Sequence, residues 1–482
     1  MQIKKVLLIV PPAVTLKFFR DINPLPPLGL GYLASVIKEL GIGVEILDAL
    51  MLGWGCETEF AEALVRVGLS DEEIKRQISA SGADIIGISC QFSRQYKIYH
   101  RLFSLIKEIK PDVITIAGGA HVTACPEEVL SDPNCDFILS GEAEDSFKDF
   151  ILRLTQDEDV TVVDGLGWKD KGRLQINKKS RWIKDLDSVP YPAYDIMKLD
   201  KYFGLKSSHG LRHKDKFSPI VTSRGCPSKC TFCSAYRVWG NNFRFRSVDN
   251  VLKEMKHLKD KYGVEEIMFE DDNVTANPKR AEDLFLQMIH EKFNFTWDTP
   301  NGVGVWVLNE RIIDLMKQSG CIQLNFPVES GSQRVLDNII KKPVKLSKIK
   351  ALIKYCRKIN LSYGLFLVMG LPGETLKDIW KSFHFAADCG CYSPFISIAT
   401  PYPGTELFDN CKKNNHFSRK FSFDDLYIKS YMIKTKDWDE DVLKKVFLRG
   451  CLYLAIRNAL AHPLVFCRKY LRKLFFFNRH NV

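Results

Sequence analysis

No stretch of about 18 uncharged apolar residues, the length needed to cross a bilayer, occurs in the 482-residue chain. The best candidate, residues 446–466, is broken by Arg449 and Arg457. A secretory leader is not expected either, because the apolar run after Lys4 and Lys5 soon meets Pro11 and Pro12. The 14 cysteines are therefore expected in a reducing cytoplasm, as thiols or metal ligands rather than disulfides. Low-complexity segments and internal repeats are missing too. Hydrophobic residues make up 45% and charged residues 26% of the chain, which excludes a disordered or fibrous protein. The length suits about two to four domains.

Acidic residues are scarce at the C-terminal end. Residues 411–482 carry 16 Lys and Arg against 6 Asp and Glu, whereas residues 1–150 carry 14 against 21. The net charge of +11 is thus largely a property of this end. Residues 464–482 contain Arg468, Lys469, Arg472, Lys473 and Arg479 with no acid, among Val465, Phe466, Leu471, Leu474, Phe475, Phe476 and Phe477. Such a tail suits peripheral contact with an anionic membrane; the plainer alternative is a solvated basic face. No recognised RNA or DNA module accompanies the charge, so a nucleic-acid partner is not expected.

What is present is strand–helix alternation. Residues 6–10, 44–47, 84–89, 113–117 and 137–139 are short apolar runs of strand length, separated by helical patterns such as 28–40 and 96–109. Continuous apolar strands between helices predict a parallel sheet covered on both faces. Five of them predict a flavodoxin-like (Rossmann-type) α/β domain over residues 1–155, with ligands beyond the carboxyl ends of the strands. Its loops hold Pro26, Pro27, Leu28 and Gly29, then Gly118, Gly119, Ala120 and His121, then Gly141 and Glu142. No G-x-G-x-x-G follows the first strand, which argues against a dinucleotide site.

Residues 156–215 read as a hairpin, with strands at 160–167 and 173–177, followed by an extended linker through Val189-Pro190-Tyr191-Pro192. From 216 to 410 the alternation resumes, with strands expected at 220–223, 266–269, 296–301, 323–328, 364–369 and 395–400. Helix ends are marked by Ser247, Gly263, Asn277-Pro278, Asn309 and Gly320. Six βα units predict a partial barrel whose chemistry sits at the carboxyl ends of its strands. Residues 411–482 read as helical.

The loop after the first barrel strand holds Cys226, Cys230 and Cys233 at C-x3-C-x2-C. A structural zinc site wants four ligands, and a [4Fe–4S] cluster is usually held by four cysteines. Three close cysteines without a nearby fourth leave one iron open for a substrate.

This triad, with Phe232 before its last cysteine, resembles the signature of the radical S-adenosylmethionine (SAM) superfamily. The resemblance implies that Cys226, Cys230 and Cys233 bind a [4Fe–4S] cluster whose open iron takes SAM, which is cleaved to a 5′-deoxyadenosyl radical. It implies SAM contacts from Phe232, Asp271, Glu329, Ser330 and Gly370. Asp, Ser and Gly are also common in βα loops and caps, and Glu270-Asp271-Asp272 stands where relatives often carry G-G-E. The preceding domain and the Leu-Asp-Ser-Val-Pro-Tyr-Pro linker resemble the cobalamin-binding class of these proteins. That implies cobalamin contacts at Leu28, Gly29, Cys90, Gln91, Gly118, Gly119, His121 and Gly141. The D-x-H-x-x-G motif that supplies an axial histidine elsewhere is missing, since Asp48 is followed by Ala49 and Leu50. His121 is the candidate replacement or, more simply, a loop residue packed near the cofactor. The implied activity is methyl transfer to an unactivated carbon of a small molecule, lipid or secondary metabolite, with a flavodoxin- or ferredoxin-type electron donor. The alternatives are a non-methylating cobalamin radical enzyme such as an oxidative cyclase, a tRNA methylthiotransferase, and a cobalamin sensor.

Overall fold

The computed structural model describes residues 2–17, 22–61, 64–205, 209–210, 212–427 and 429–463. The basic segment 464–482 lies outside the described residues.

In the N-terminal part, five parallel strands are Lys5–Val10, Gly43–Asp48, Ile85–Ser89, Ile114–Gly118 and Phe137–Leu139. Numbered along the chain they stand in the order 2-1-3-4-5, with the switch point between the first and third. Side chains alternate across the sheet: Leu7 and Ile9 of the first strand enter one core layer, and Val6 and Leu8 enter the opposite one. Both faces are covered, which is why the strands read as unbroken apolar runs.

The predicted hairpin belongs to this sheet. Leu166–Asp170 pairs antiparallel with Phe137–Leu139, and Arg173–Ile176 pairs with it in turn. Lys171 and Gly172 at the tip both have positive φ, as a two-residue type I′ turn requires. The strand expected at 160–167 starts only at Leu166. Asp159 accepts hydrogen bonds from the Thr161 backbone N–H and hydroxyl, which closes a tight turn over Val160–Val162 instead. A small antiparallel sheet of Ala13–Leu16, Leu64–Val67 and Glu57–Ala61 was not anticipated. It joins segments some fifty residues apart, which local patterning does not reveal.

In the second part, Phe217–Ile220, Glu266–Phe269, Thr296–Asp298, Cys321–Glu329, Ser362–Met369 and Phe395–Ile398 form one parallel sheet in chain order. The first strand runs earlier than the 220–223 expected, through Pro219. It is an edge strand, where a residue without an N–H leaves no partner unpaired. The following Ser223–Arg224 pairs separately with Arg244–Phe245. Helix ends fall at the marked residues: Ser247, Asn277 and Asn309 accept from backbone N–H groups three residues on, and Gly263 closes its helix at φ +66°.

Residues beyond 410 are less helical than expected. Helices span Glu406–Lys413 and Glu440–Ala461. Between them the chain makes one antiparallel bridge, Phe417 to Ile433, and a 3-10 turn at Phe423–Asp425. That turn straps onto the N-terminal domain: Lys97 reaches Asp424 at 2.6 Å, and the Phe423 ring packs on Tyr96 and His121. Tertiary packing of Phe408, Phe417, Phe421 and Phe423 replaces local helix here. Among the described residues no helix is long and apolar enough to cross a membrane.

Candidate active site

The cysteine loop starts at the carboxyl end of the first barrel strand. Gly225, at φ +86°, turns the chain where a Cβ would stand 2.6 Å from the Asn242 carbonyl oxygen. The loop is then tied down from two sides. Thr231 donates its N–H to the Ile340 carbonyl and its hydroxyl to that of Ile339, and it accepts from Leu407 N–H. Cys230 is buried, while Cys226 and Cys233 are half-buried. Cys226 and Cys233 raise Cys230, and Cys226 raises Cys233. Burial pushes Cys230 up to about 12 and Cys233 up to about 11, and it raises Cys226 as well. The Lys342 ammonium pulls Cys230 the other way. Three soft sulfur donors in a sheltered loop suit an iron–sulfur cluster, whose positive iron supplies the charge that holds them as thiolates.

Beside this loop lies a cavity of about 530 Å³ at the carboxyl ends of the barrel strands. Of the expected SAM contacts, Phe232 and Glu329 line it. Glu329 sits at φ +66° and accepts from Lys342 Nζ at 2.7 Å. The other three have structural duties away from this lining. Asp271 is buried and accepts from Thr222 N–H, the Thr222 hydroxyl and the Ser223 hydroxyl. Ser330 is buried and accepts from Ser332 N–H. Gly370 donates its N–H to Glu374, and a Cβ there would meet Leu443 at 3.0 Å.

The neighbouring Asp272 is the better acidic candidate. Burial pushes its carboxyl up to about 6, Asp271 pushes the same way, and its Oδ2 has no hydrogen-bond partner among the described residues. It also lies within electrostatic reach of Cys226 and Cys233. Two polar residues, Gln323 and Asn325, were missed beside the expected Glu329. Gln323, Asn325 and Glu329 line the cavity with Pro327, while the intervening Leu324, Phe326 and Val328 are buried in the core. Their period of two on one barrel strand is the signal that marks them.

A second cavity, of about 370 Å³, opens over the carboxyl ends of the N-terminal strands. Leu28, Gly29, Gln91, Gly118, Gly119 and Gly141 line it. Gly29 has nothing within 4 Å of a built Cβ, and Gly118 has only the Leu139 carbonyl at 3.6 Å. Gly29 and Gly118 thus leave open space in this lining, room that a broad macrocycle needs. Gly119 differs: at φ +119° its Cβ would stand 2.5 Å from the Cys90 carbonyl oxygen.

Cys90 and His121 are not among the lining residues. Cys90 is buried and shapes the lining through its backbone, accepting from His121 N–H and donating to the Gly118 carbonyl. His121 is buried with both ring nitrogens engaged, Nδ1 at 3.0 Å from Ser93 Oγ and Nε2 at 3.0 Å from Glu128 Oε2. That bonding removes it as an axial ligand. Tertiary contacts with Tyr99 and Phe423 hold the ring away from the lining.

The wall of this cavity is completed by the barrel, through Pro219, Val221, Arg224, Trp239 and Glu270. Arg224, two residues before Cys226, bonds Glu142 and Glu144 at 2.6 Å each, all three buried. Arg244 adds a 2.8 Å contact to Glu142. Burial alone would raise the Glu144 carboxyl, but the Arg224 guanidinium holds it below the usual range. Glu270 on the same wall lies 3.1 Å from His209, which lines the barrel cavity. Burial alone would lower the His209 imidazole, and the Glu270 carboxylate raises it above the ordinary histidine value.

Residues 220–386 match the radical SAM superfamily, and residues 23–151 match the B12 binding domain. The chain is 34% identical over 442 residues to cytidylyl-2-hydroxyethylphosphonate methyltransferase of Streptomyces wedmorensis, covering 85% of this chain and 82% of that one. It is 33% identical over 418 residues to an uncharacterized methyltransferase of Pyrococcus horikoshii, covering 86% and 84%. The fold is like that of the radical S-adenosylmethionine methyltransferase TsrM from Kitasatospora setae, solved with cobalamin and a [4Fe–4S] cluster bound. That likeness has a TM-score of 0.69 at 14% identity, over 87% of this chain and 80% of that one. With a radical SAM domain, a B12 binding domain and a methyltransferase relative along most of its length, the chain belongs to the cobalamin-binding radical SAM family, as a methyltransferase-class enzyme that uses a [4Fe–4S] cluster, SAM and cobalamin.

Proposed function

We propose that this enzyme methylates an unactivated carbon of a small molecule bound where the two cavities meet. The observation that carries this reading is the Glu270–His209 pair, which joins the wall of one cavity to the wall of the other across 3.1 Å. A methyl donor on one side and a radical source on the other must both reach the same carbon. When bound, the cluster with SAM supplies a 5′-deoxyadenosyl radical and cobalamin supplies the methyl group.

The chain's own residues then have these roles. Cys226, Cys230 and Cys233 hold the cluster; Phe232, Asp272 and Glu329 line the SAM side, with Lys342 fixing the Glu329 carboxylate. Leu28, Gly29, Gln91, Gly118, Gly119 and Gly141 form the bed for cobalamin. Gln323, Asn325, Phe366 and Tyr402 shape the rest of the barrel cavity and offer amide and aromatic contacts to the substrate. A flavodoxin- or ferredoxin-type protein supplies the electron. The first substrate to try is cytidylyl-2-hydroxyethylphosphonate, which the Streptomyces relative's name states.

The test is product analysis with anaerobically reconstituted enzyme. Methylation yields S-adenosylhomocysteine and 5′-deoxyadenosine together with methylated substrate. 5′-Deoxyadenosine alone, with a substrate that is rearranged or oxidised, would replace this reading with the cyclase-type one.

The cobalamin bed makes a separate prediction. Gly29 lies in the first turn of the helix Leu28–Glu39. Leucine suits a helix better than glycine by about 0.5–1 kcal/mol. Gly29→Leu should therefore keep or raise the melting temperature of the cobalamin-free protein. The side chain would fill the open space and weaken cobalamin binding at least about tenfold, roughly 1.4 kcal/mol. Titration of the purified variants with cobalamin measures it, and an unchanged Kd would remove Gly29 from the site.

A further inference from the structure

The helix Glu440–Ala461 is apolar on two opposite sides. Leu443, Val446, Gly450 and Leu454 face the protein, and Gly450 lets the helix approach until a Cβ would stand 2.1 Å from the Phe383 ring. On the other side Leu448, Leu452, Ile456 and Leu460 are 66%, 61%, 51% and 75% exposed. Their four-residue spacing puts them in one ridge roughly 18 Å long. Four large aliphatics in a row on a surface mark a docking face rather than scattered exposure.

The charge around the ridge says what covers it. After Asp441 the chain has no acidic residue to its end at Val482. On the helix itself it carries Lys444, Lys445, Arg449 and Arg457. Lys445 and Arg449 are exposed beside the ridge. A second copy packed about a two-fold axis would set these cations against their own images. A nucleic acid would meet the cations but leave the aliphatic ridge without a partner. An anionic lipid surface satisfies both, with phosphate headgroups for the cations and the acyl boundary for the leucines. We infer that this helix lies flat on an anionic membrane interface through Leu448, Leu452, Ile456 and Leu460, with Lys445 and Arg449 at headgroup level. The inference is independent of the catalytic reading, since none of these residues lines either cavity.

The test is co-sedimentation of the full-length holoenzyme with phosphatidylcholine vesicles, with and without phosphatidylglycerol. Binding should be at least about tenfold stronger to the anionic vesicles and should fall with added salt. Leu452→Asp with Ile456→Asp should weaken it about tenfold or more, with cluster content, cobalamin content and melting temperature unchanged. Lys445→Glu with Arg449→Glu, which leaves the ridge intact, should remove the preference for anionic vesicles even if the first pair destabilises the helix. Equal binding to both vesicle types, or wild-type binding by the charge-reversed variant, overturns the inference. So does a fall in solution mass when the ridge is altered, which would assign the ridge to a second copy. Capture by polyuridylate in place of vesicles would also overturn it.

Discussion

Cys230→Ala protein is expected to purify folded, bind cobalamin normally and show no SAM cleavage above background. Cys230 is the buried member of the triad, seated between the Ile339–Ile340 carbonyls that hold Thr231 and the Leu407 N–H that grips the loop from the other side. For a cysteine proposed as a direct cluster ligand, the loss should exceed the ~10–100-fold typical of outer-shell partners. Iron and sulfide content, the cluster's visible absorbance and 5′-deoxyadenosine formation read the loss together. A second substitution separates ligand loss from packing loss. Cys411→Ala removes a cysteine that is also buried in the core, on the helix Glu406–Lys413. It should lower the melting temperature modestly and leave the cluster in place. Equal loss of iron from both variants would deny Cys230 its role as a ligand.

The second large effect is expected at Arg224. Its guanidinium bridges Glu142 and Glu144 with both bonds at 2.6 Å in a buried setting, and it faces the Tyr32 and Trp239 rings at 5.2 and 5.0 Å. Arg224→Met leaves Glu144 buried without that partner, while Glu142 keeps Arg244. Breaking one side of a buried pair costs about 3–5 kcal/mol, because a charge remains without compensation. The double variant Arg224→Met, Glu144→Gln should lose less than Arg224→Met alone, since no orphaned carboxylate remains beside the methionine and Glu142 keeps Arg244. Denaturant melts of the cobalamin-free proteins decide the order. The same residues link the two halves of the site: Glu142 and Glu144 belong to the loop over the cobalamin bed, and Arg224 leads into Cys226. The Arg224→Met enzyme, assayed below its melting range, should therefore uncouple the two SAM reactions and form 5′-deoxyadenosine in excess over methylated product. A melt like the wild type's with unchanged coupling would show the pair to be dispensable.

Much of this site is legible along the chain because it depends on short-range geometry. Cys226, Cys230 and Cys233 sit within one loop. The loop follows a strand whose end the apolar pattern locates to within a few residues. Ser247, Asn277 and Asn309 cap helices through their own neighbours three residues on, so residue type and spacing suffice. Gly118 and Gly119 are visible for the same reason, since they stand at the end of the strand Ile114–Gly118.

Other assignments needed the fold. Asp271 and Asp272 are adjacent and chemically identical in sequence. Only the pairing of Phe217–Ile220 with Glu266–Phe269 brings Thr222 and Ser223 to Asp271 and leaves an oxygen of Asp272 without a hydrogen-bond partner among the described residues. Ser330 and Gly370 carry the right residue types at strand ends. The helix Leu376–Asp388 lies behind Ser330, and the helix Glu440–Ala461 packs over Gly370, and each fixes its residue in a structural contact. His121 stands on the cobalamin loop, yet Glu128, Ser93 and Phe423, drawn from three different segments, turn its ring inward.

By itself the sequence determined the two α/β halves, the loop with three close cysteines and the basic C-terminal end, because strand period, loop spacing and charge are properties of neighbouring residues. Among the described residues, the tertiary structure alone decided which acid keeps an oxygen without a hydrogen-bond partner, which glycines leave open space, how Arg224 joins the two halves, and which face of the last helix is exposed. Those outcomes depend on which distant side chain arrives to satisfy a buried group or fill a space, and chain order carries no record of that arrival.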